Sequence, residues 1–326
     1  MRVLYQVDAF TRTPFSGNPA GVALAADGLT DMQMLAVARE LNNSETAFVL
    51  PPDGLTDMQM LAVARELNNS ETAFVLPPDG TDHDLRVRFF TPTTEVPSCG
   101  HATVATHFAR AVKCGLPSGS LVQKTGTGLL QRVRIHRNGD RARICMHQGA
   151  AVFGPELDSL RVGRLLRALG AAPPEDLADN GPVQIVSTGH AKVLVELRDR
   201  AAVDTLRPDP AAPTALSRDL DTNGFFVFTR DTGEEHLLTW SRMFAPAIGI
   251  HEDPVTGNGH GPLGAYLPRH GIVPAPGGRL SFTGRQGAAL GRPGDVQVHV
   301  ETGKDGELLV SVTGTAATAY RTELPV

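Results

Sequence analysis

Two glycine-opened segments of this sequence place ionisable side chains where a helix is predicted to begin. Gly100 is followed directly by His101, and Asp253 lies four residues before Gly257. Helix amino termini carry N–H donors without intrahelical partners and about half a positive charge, so two of them together would bind a carboxylate or stabilise an oxyanion. This pattern suits proton transfer on a small anion. The same glycines would also serve as plain turn residues, and sequence physics alone slightly favours that role.

A glutamate within a Ser-Glu-Thr triplet is the third candidate group, and it occurs twice, as Glu45 and Glu71. Burial in a cleft disfavours the charged carboxylate and raises its pKa, which prepares the group to take and return a proton near neutral pH. A solvated helix-end carboxylate is nevertheless the commoner role for a lone glutamate. Asp253 could simply cap the helix that follows it, and His101 could be an ordinary first-turn residue.

Other kinds of site are less well supported by the residues. Cys99 could act as a thiol base at a helix amino terminus, but a two-thiol racemase needs a second cysteine, and the matching segment around Asp253 has none. The nearby histidines and acids do not have the spacing of a standard zinc site, and no glycine-rich nucleotide loop follows a strand. The sequence therefore predicts no metal and no organic cofactor.

The Ser-Glu-Thr triplet occurs twice because residues 29–54 are repeated, letter for letter, as residues 55–80. Solenoid repeats drift in sequence and need at least three units, so this pair indicates a recent tandem duplication or an artefact. Each copy is predicted to form a helix followed by a strand, at 46–50 in the first copy. We expect room for one copy in the fold. The first, with Glu45, is favoured because the second would then lengthen a hairpin connection.

Hydrophobic patterning predicts the elements that must position these groups. Helices are predicted at 101–113 and 157–169, with a short helix after 254. Strands are predicted at 2–9, 20–25, 85–91, 183–187, 191–197, 224–230 and 236–244, in the tail from 279, and as an antiparallel set between 121 and 148 that turns at Asn138-Gly139-Asp140. Hairpins dominate, so the predicted class is α+β rather than a doubly wound parallel sheet.

A faint internal symmetry predicts two related domains. Pro92 and Pro246 are separated by 154 positions, and so are Cys99 and Asp253. The predicted domains are residues 1–118, completed by the C-terminal strand, and residues 119–326. Each would offer one glycine-opened helix to a shared cleft, a favoured place for a small-molecule site.

Composition excludes several classes of protein. The net charge is −5 and no run of Lys and Arg occurs, which argues against nucleic-acid binding. No apolar segment approaches the ~20 residues of a membrane span, and no signal peptide is evident. The three cysteines of the chain indicate a reducing compartment without a disulfide framework, so we expect a cytoplasmic protein.

Several motifs in order resemble the phenazine-biosynthesis PhzF-like family over essentially the whole chain, once one repeat copy is set aside. Besides the Ser-Glu-Thr triplet, they are Val7-Asp8-Ala9-Phe10, Gly17-Asn18-Pro19-Ala20-Gly21, Phe90-Thr91-Pro92, Pro97-Ser98-Cys99-Gly100-His101-Ala102-Thr103, Ser187-Thr188-Gly189-His190, Glu252-Asp253-Pro254-Val255-Thr256-Gly257, Gln286-Gly287 and Gly291-Arg292-Pro293.

The resemblance implies a fold like that of diaminopimelate epimerase, with two similar domains that each wrap a curved, mostly antiparallel sheet around a central helix. It implies a cofactor-free and commonly dimeric isomerase. In the best-understood member the Ser-Glu-Thr glutamate shuttles a proton on a dihydroxylated anthranilate precursor. The residues matching His101 and Asp253 hold and polarise that substrate. Candidate substrate contacts are Asn18, Cys99, Gly100, Gly257 and Asn258.

The substrate itself is not carried over from the resemblance, because Asn258 stands where that member has serine and His260 is unusual nearby. The leading prediction is a homodimeric isomerase that moves a proton on a small molecule, an anionic carboxylate. A two-base racemase or epimerase remains the alternative among enzymes. A ligand-binding pseudoenzyme, inactivated by the duplication, is the alternative from another class.

Overall fold

The computed structural model describes residues 2–23, 46–49, 72–90, 95–96, 98–172, 175–179, 181–209 and 211–324. The described residues are mostly sheet with few helices, which confirms the α+β class. The strands in chain order are β1 (Arg2–Ala9), β2 (Asn18–Ala23), β3 (Thr46–Val49), β4 (Thr72–Leu76), β5 (Leu85–Phe90), β6 (Glu95–Val96), β7 (Gly119–Thr125), β8 (Leu130–Asn138), β9 (Arg141–Ala150), β10 (Val152–Glu156), β11 (Gln184–Ser187), β12 (Ala191–Glu196), β13 (Phe225–Thr229), β14 (Thr239–Ala245), β15 (Ile250–Asp253), β16 (Arg279–Gln286), β17 (Gly294–Thr302) and β18 (Leu308–Leu324). The α-helices are α1 (Gly100–Val112), α2 (Ser159–Leu169), α3 (Arg200–Asp204), α4 (Ala212–Asp219) and α5 (Gly257–Arg269).

The chain divides into two compact units, one made of Met1–His147 with Thr313–Val326 and the other of Gln148–Val312. The boundary predicted at residue 118 is therefore too early. The reason is strand pairing, because β7 runs parallel to β5 and then forms a hairpin series with β8 and β9. These strands extend the sheet of the first unit instead of opening the second.

In the first unit the strand pairings close into a ring around α1. β1 pairs with both β18 and β2, the series continues through β3, β4, β5, β7, β8 and β9, and β9 pairs with β18. α1 is rich in small side chains and is buried on nearly all sides. A helix buried all round is a core helix, and here the sheet supplies its surroundings.

Both repeat copies contribute a strand to this sheet, so the prediction that the fold has room for only one copy is wrong for the strands. The helices predicted before these strands lie outside the described residues. β3 runs parallel to β2 and to β4, with Ala47 opposite Ala73, Phe48 opposite Phe74 and Val49 opposite Val75. Two identical strands placed side by side in register satisfy each other's backbone groups, and the sheet accepts one more strand. The strand of the second copy therefore does not lie outside the sheet, since β4 pairs directly with β5.

The second unit arranges its strands in the order β10, β11, β12, β13, β14, β16 and β17, with β15 folded onto the end of β14. α5 packs against this sheet and is buried along most of its length. α2, α3 and α4 contribute to a separate apolar cluster around Phe225 and Trp240. α2 is delimited by Asp158, which accepts a hydrogen bond from the Arg161 N–H, and by Gly170 in the left-handed conformation.

The two units share one order of elements around their buried helices. In the first unit β5 pairs antiparallel with β4 and β6, α1 follows, and the chain returns as β7, parallel to β5. In the second unit β14 pairs antiparallel with β13 and β15, α5 follows, and the chain returns as β16, parallel to β14.

No described helix combines the length and apolar character that crossing a membrane requires.

Candidate active site

The start of α1 is fixed by backbone bonds to Cys99. This residue is extended (φ −138°, ψ 118°), and the helix begins at the next residue, Gly100. The Cys99 carbonyl oxygen accepts from the Thr103 N–H at 3.2 Å and from the Thr103 hydroxyl at 2.7 Å. The Cys99 side chain makes no capping bond to the helix. The amino terminus of α1 thus keeps a defined direction that a bound anion could use.

Cys99 and His101 lie side by side at this helix start. The Cys99 Sγ atom is 3.6 Å from Nδ1 and 3.7 Å from Nε2 of His101, and the two residues are only 3% and 4% exposed. Burial lowers the pKa of His101 to about 3, so its imidazole is neutral near pH 7. A neutral imidazole adds no positive charge next to the Cys99 thiol.

Asn18 begins β2 and follows a loop that is held in place by a hydrogen bond. It lies opposite Ala9 on β1 and is fully buried. The loop before it is held by Asp8, whose Oδ2 accepts from the Phe15 N–H at 2.7 Å. Gly17 has a positive φ of 63°, and a Cβ there would overlap the Ala9 carbonyl oxygen, so the turn into β2 requires glycine.

Asp253 ends β15 and is held by a compact polar network. Its carboxylate accepts a short hydrogen bond from the Thr256 hydroxyl, and its carbonyl oxygen accepts from Gln286 Nε2 at 2.7 Å. Gln286 also accepts from the Thr256 N–H at 3.0 Å, and its side chain is almost completely buried. The donor at Oδ2 stabilises the ionised carboxylate, and Gln286 fixes both Asp253 and the residue before α5.

Gly257 and Asn258 in the first turn of α5 are held by a residue far away in the sequence. Gln148 donates from Nε2 to the Gly257 carbonyl oxygen at 3.2 Å and to Asn258 Oδ1 at 3.1 Å. The Thr188 hydroxyl in turn donates to Gln148 Oε1 at 2.8 Å. The Asn258 side chain is thereby turned into a fixed position at the start of the helix.

His260, one turn into α5, is completely buried and neutral. Burial lowers its pKa to about 4, although its bond to Thr256 opposes that shift. The Nδ1–H group donates to the Thr256 carbonyl oxygen at 3.0 Å, while Nε2 has no hydrogen-bond partner among the described residues. The ring also meets Phe226 edge-on, with centroids 5.0 Å apart. His260 therefore belongs to the packing that fixes the α5 start.

The sequence-predicted residues thus form two local groups. Cys99, Gly100 and His101 come together at the start of α1, whereas Asp253, Gly257 and Asn258 come together at the start of α5. Glu45 and Glu71 lie outside the described residues. The residues that follow them are described, with Thr46 opposite Gly21 on β2 and Thr72 opposite Phe90 on β5.

Sequence reasoning gave no positioning role to Gln148 or Gln286. Gln286 lies in a motif that resembles the family, so its burial could have been suspected, whereas Gln148 carries no local signal. No group of three or more potential metal ligands occurs among the residues that the structure describes. The absence of a metal and of a cofactor stays a prediction.

Comparison with known proteins identifies the relatives of the chain. The family model described as phenazine biosynthesis-like protein matches residues 7–54 and 49–322, and the two matched segments overlap within the first repeat copy. An uncharacterized isomerase of Clostridium acetobutylicum is 41% identical over 321 residues, covering 98% of this chain and 97% of that protein. The trans-2,3-dihydro-3-hydroxyanthranilate isomerase of Pseudomonas chlororaphis is 31% identical over 319 residues, covering 97% of this chain and 96% of that enzyme.

A solved structure gives the same answer for the fold. The Bacillus anthracis phenazine biosynthesis protein of the PhzF family is 26% identical and superposes with a TM-score of 0.79, covering 100% of this chain and 99% of that one. These relatives define the protein as an isomerase. The chain belongs to the phenazine biosynthesis-like, or PhzF, family.

Proposed function

We propose that this isomerase moves a proton between two carbon atoms of a small carboxylate-bearing metabolite, using a glutamate as general acid and base and no cofactor. The observation that carries the proposal is that both glycine-opened helices begin beside a buried ionisable residue, His101 in α1 and Asp253 before α5. Helix amino ends favour negative charge, which is why we propose an anionic substrate.

Glu71 is our choice for the general base. Its neighbour Thr72 opens β4, which pairs with the strand that leads to α1, whereas Thr46 opens a strand one position farther away in the sheet. Neighbouring strands are roughly 4.8 Å apart, a displacement too large for the same proton transfer. The carboxylate takes a proton from one substrate carbon and returns it to another. One C–H bond breaks and another forms, with no net change in oxidation state.

His101 and Asp253 are proposed to hold and polarise the substrate while the proton moves. A neutral imidazole can donate a hydrogen bond to a developing oxyanion without adding a full charge to the site. The Asp253 carboxylate, fixed by Thr256 and Gln286, would accept a hydrogen bond from a substrate donor. The proposed site thus combines one mobile proton carrier with two fixed polar groups.

Proton exchange with solvent is the direct test. The purified protein is incubated in heavy water with trans-2,3-dihydro-3-hydroxyanthranilate, the compound in the name of the 31% identical relative, and with a panel of small unsaturated and α-substituted carboxylates. Enzyme-dependent deuterium incorporation at a carbon atom, lost in Glu71→Gln, supports the proposal. A substrate that binds without any exchange would favour a pseudoenzyme, and full exchange in a Glu45→Gln, Glu71→Gln double variant refutes the glutamate mechanism.

Two controls separate the alternatives. Cys99→Ser should keep most of the exchange if glutamate is the base, and loss in that variant with retention in Glu71→Gln would point to a thiol racemase. Exhaustive chelation should leave turnover unchanged, while loss of turnover that one metal restores would contradict a metal-free reaction.

A cytoplasmic homodimer is proposed from the resemblance and the cysteine content. Light scattering after size-exclusion chromatography tests the dimer.

A further inference from the structure

Two bidentate arginine–glutamate pairs occur at corresponding places in the two units. Arg88 on β5 donates from Nε to Glu95 Oε1 at 2.9 Å and from Nη2 to Oε2 at 2.6 Å. Arg242 on β14 donates from Nε to Glu252 Oε1 at 2.8 Å and from Nη2 to Oε2 at 2.7 Å. Both guanidinium groups use the same two nitrogen atoms, so the pairs share one side-on geometry.

The internal symmetry of the sequence relates the two arginines. Arg88 and Arg242 are separated by 154 positions, the same offset that relates Cys99 to Asp253. Each arginine lies two residues before a phenylalanine near the end of its strand, and its glutamate lies on the short antiparallel strand that follows, β6 or β15. The same device thus occurs twice, at one place in a shared order of elements.

A gain in folding stability does not explain well why these two buried ion pairs are present. The side chains of Arg242 and Glu252 are only 6% and 13% exposed, and those of Arg88 and Glu95 are 10% and 21% exposed. Removing two charges from water costs free energy that a buried pair often fails to recover, compared with well-packed apolar side chains. Directed, two-point pairing instead fixes the position of one backbone segment against another.

The segments that are fixed are those that precede the two helix starts. Glu95 lies four residues before Cys99, and Glu252 lies directly before Asp253. Because alternate residues of a strand face opposite sides, holding Glu252 on one side of β15 turns Asp253 to the other. Arg242 also donates to the carbonyl oxygen atoms of Val203 and Leu206, at 3.2 and 3.0 Å, which anchors its own end of the pair.

We propose that Arg88–Glu95 and Arg242–Glu252 are twin positioning clamps that set the orientation of His101 at the start of α1 and of Asp253 before α5. The inference rests on the proposed function for its effect on turnover, since the substrate groups are those named there. It predicts that these four residues, none of which is a candidate substrate contact, control the rate by positioning other residues.

Gly126 supplies a way to open one clamp without changing any charge. A Cβ atom on this residue would overlap the Glu95 carboxylate and lie 2.9 Å from Arg88 Nε. Gly126→Ala should therefore displace the Glu95 carboxylate from the guanidinium while all charged side chains remain. If Glu95→Gln failed to fold, this variant would still test the clamp.

The kinetic test compares Glu95→Gln, Gly126→Ala and Glu252→Gln with Glu196→Gln. The control breaks the Arg230–Glu196 pair, which is buried on the glutamate side and joins the last residue of β12 to the residue after β13. Misplacement of about 1 Å can lower a rate on the order of 100-fold. We expect a loss of that size in kcat, with little change in KM, for the three clamp variants and not for the control. Arg242→Lys should behave like Glu252→Gln, because lysine keeps the charge but not the two-point contact.

A second readout does not depend on turnover. In a Cys114→Ser, Cys145→Ser background, Cys99 is the remaining thiol, and its alkylation by iodoacetamide should accelerate at least about tenfold in Glu95→Gln and Gly126→Ala. For the second clamp, the ring ¹⁵N signals of His260 report its bond to the Thr256 carbonyl oxygen and should shift in Glu252→Gln.

Losses of kcat that match the control, together with unchanged alkylation and unchanged His260 signals, would overturn the clamps. If the wild-type protein exchanges no proton on any carboxylate, the proposed function fails. The alkylation and NMR readouts still decide whether the clamps position these residues.

Discussion

Thr72, the first residue of β4, lies directly opposite Phe90, the last residue of β5. The corresponding residue of the first repeat copy, Thr46, lies opposite Gly21 on β2 instead. The second copy is therefore the one that borders the strand leading into α1. The sequence favours Glu45 on the expectation that the fold has room for one copy and that the other lengthens a hairpin connection. Because both strands lie in the sheet, the copy whose strand pairs with β5 is the better candidate to supply the catalytic glutamate, and this favours Glu71.

The first prediction is that Glu71→Gln abolishes proton exchange, whereas Glu45→Gln leaves it near the wild-type level. Glutamine keeps the size and polarity of the side chain but cannot carry the proton, so general acid–base catalysis, typically ~10²–10⁴-fold, is lost. Deuterium incorporation measured by NMR reads the outcome. Equal partial losses in the two single variants would instead mean that both glutamates serve the site.

The second prediction concerns the polar groups at the helix starts. Asp253→Asn and His101→Ala should each lower turnover at least about 100-fold, the size typical of losing one acid–base or oxyanion partner. Asp253→Asn keeps the size of the side chain and should melt close to the wild type, whereas His101→Ala removes a buried ring and should melt earlier. A variant that melts early but keeps normal specific activity would show that the residue serves only the fold.

Thr256 provides a graded test of the same site. Its hydroxyl donates to the Asp253 carboxylate, so Thr256→Val removes a hydrogen bond that fixes this group. Turnover should therefore fall in Thr256→Val. Thr256→Ser keeps the hydroxyl and should keep turnover near the wild-type level. Equal behaviour of the serine and valine variants would argue against this hydrogen bond as the cause.

Local patterns were sufficient to predict the elements that carry the site. The helix expected at 101–113 is α1, from Gly100 to Val112, and the hairpin expected at Asn138-Gly139-Asp140 joins β8 and β9. These features depend on residues close together in sequence, such as a glycine at a turn. The fate of the repeat was predicted wrongly because it depends on whether a sheet can accept another strand. That property is set by distant pairings and not by the copy itself.

The groups that fix the site were harder to predict for the same reason. Gln148 reaches the α5 start across 109 or 110 positions of sequence, and Gln286 reaches Thr256 across 30. A glutamine has no periodic or spacing signal that reveals such a contact. The arginine clamps are easier to predict from the sequence, since the offset that relates Cys99 to Asp253 also relates Arg88 to Arg242.

The third prediction is that stability falls as the pH drops below about 6.5. Burial lowers the pKa of His101 to about 3 and those of His107 and His260 to about 4. The folded values lie below the unfolded value near 6.5, so the unfolded chain binds these protons first. The stabilisation is complete above pH 6.5 and is lost progressively as the pH falls towards the folded pKa values. The free energy of unfolding should decrease by up to about 4 kcal/mol per pH unit for the three groups together.

Urea unfolding at pH 7.5, 6.5 and 5.5 measures this slope. His107→Gln should reduce it by about one third, since each histidine contributes at most ~1.4 kcal/mol per pH unit. Glutamine at this position can still reach the Gln123 side chain that His107 bonds at 2.8 Å. A pH-independent free energy of unfolding over this range would contradict neutral burial of the three imidazoles.

The last prediction is that the chain folds and remains active after one repeat copy is deleted. Removing residues 55–80 gives the same sequence as removing residues 29–54, because the copies are identical. In the intact chain β3 borders β2 on one side and β4 borders β5 on the other, and the two strands carry the same residues in the same register. A single copy therefore presents the edge that fits β2 together with the edge that fits β5, and the ring around α1 can close with one strand fewer. We expect cooperative thermal unfolding and proton exchange at or above the level of the full chain. Replacing the single remaining glutamate of the triplet by glutamine is the control, and it should abolish the exchange without preventing folding. A deletion variant that fails to fold would mean that α1 needs both strands around it, and that the duplication has become part of the structure.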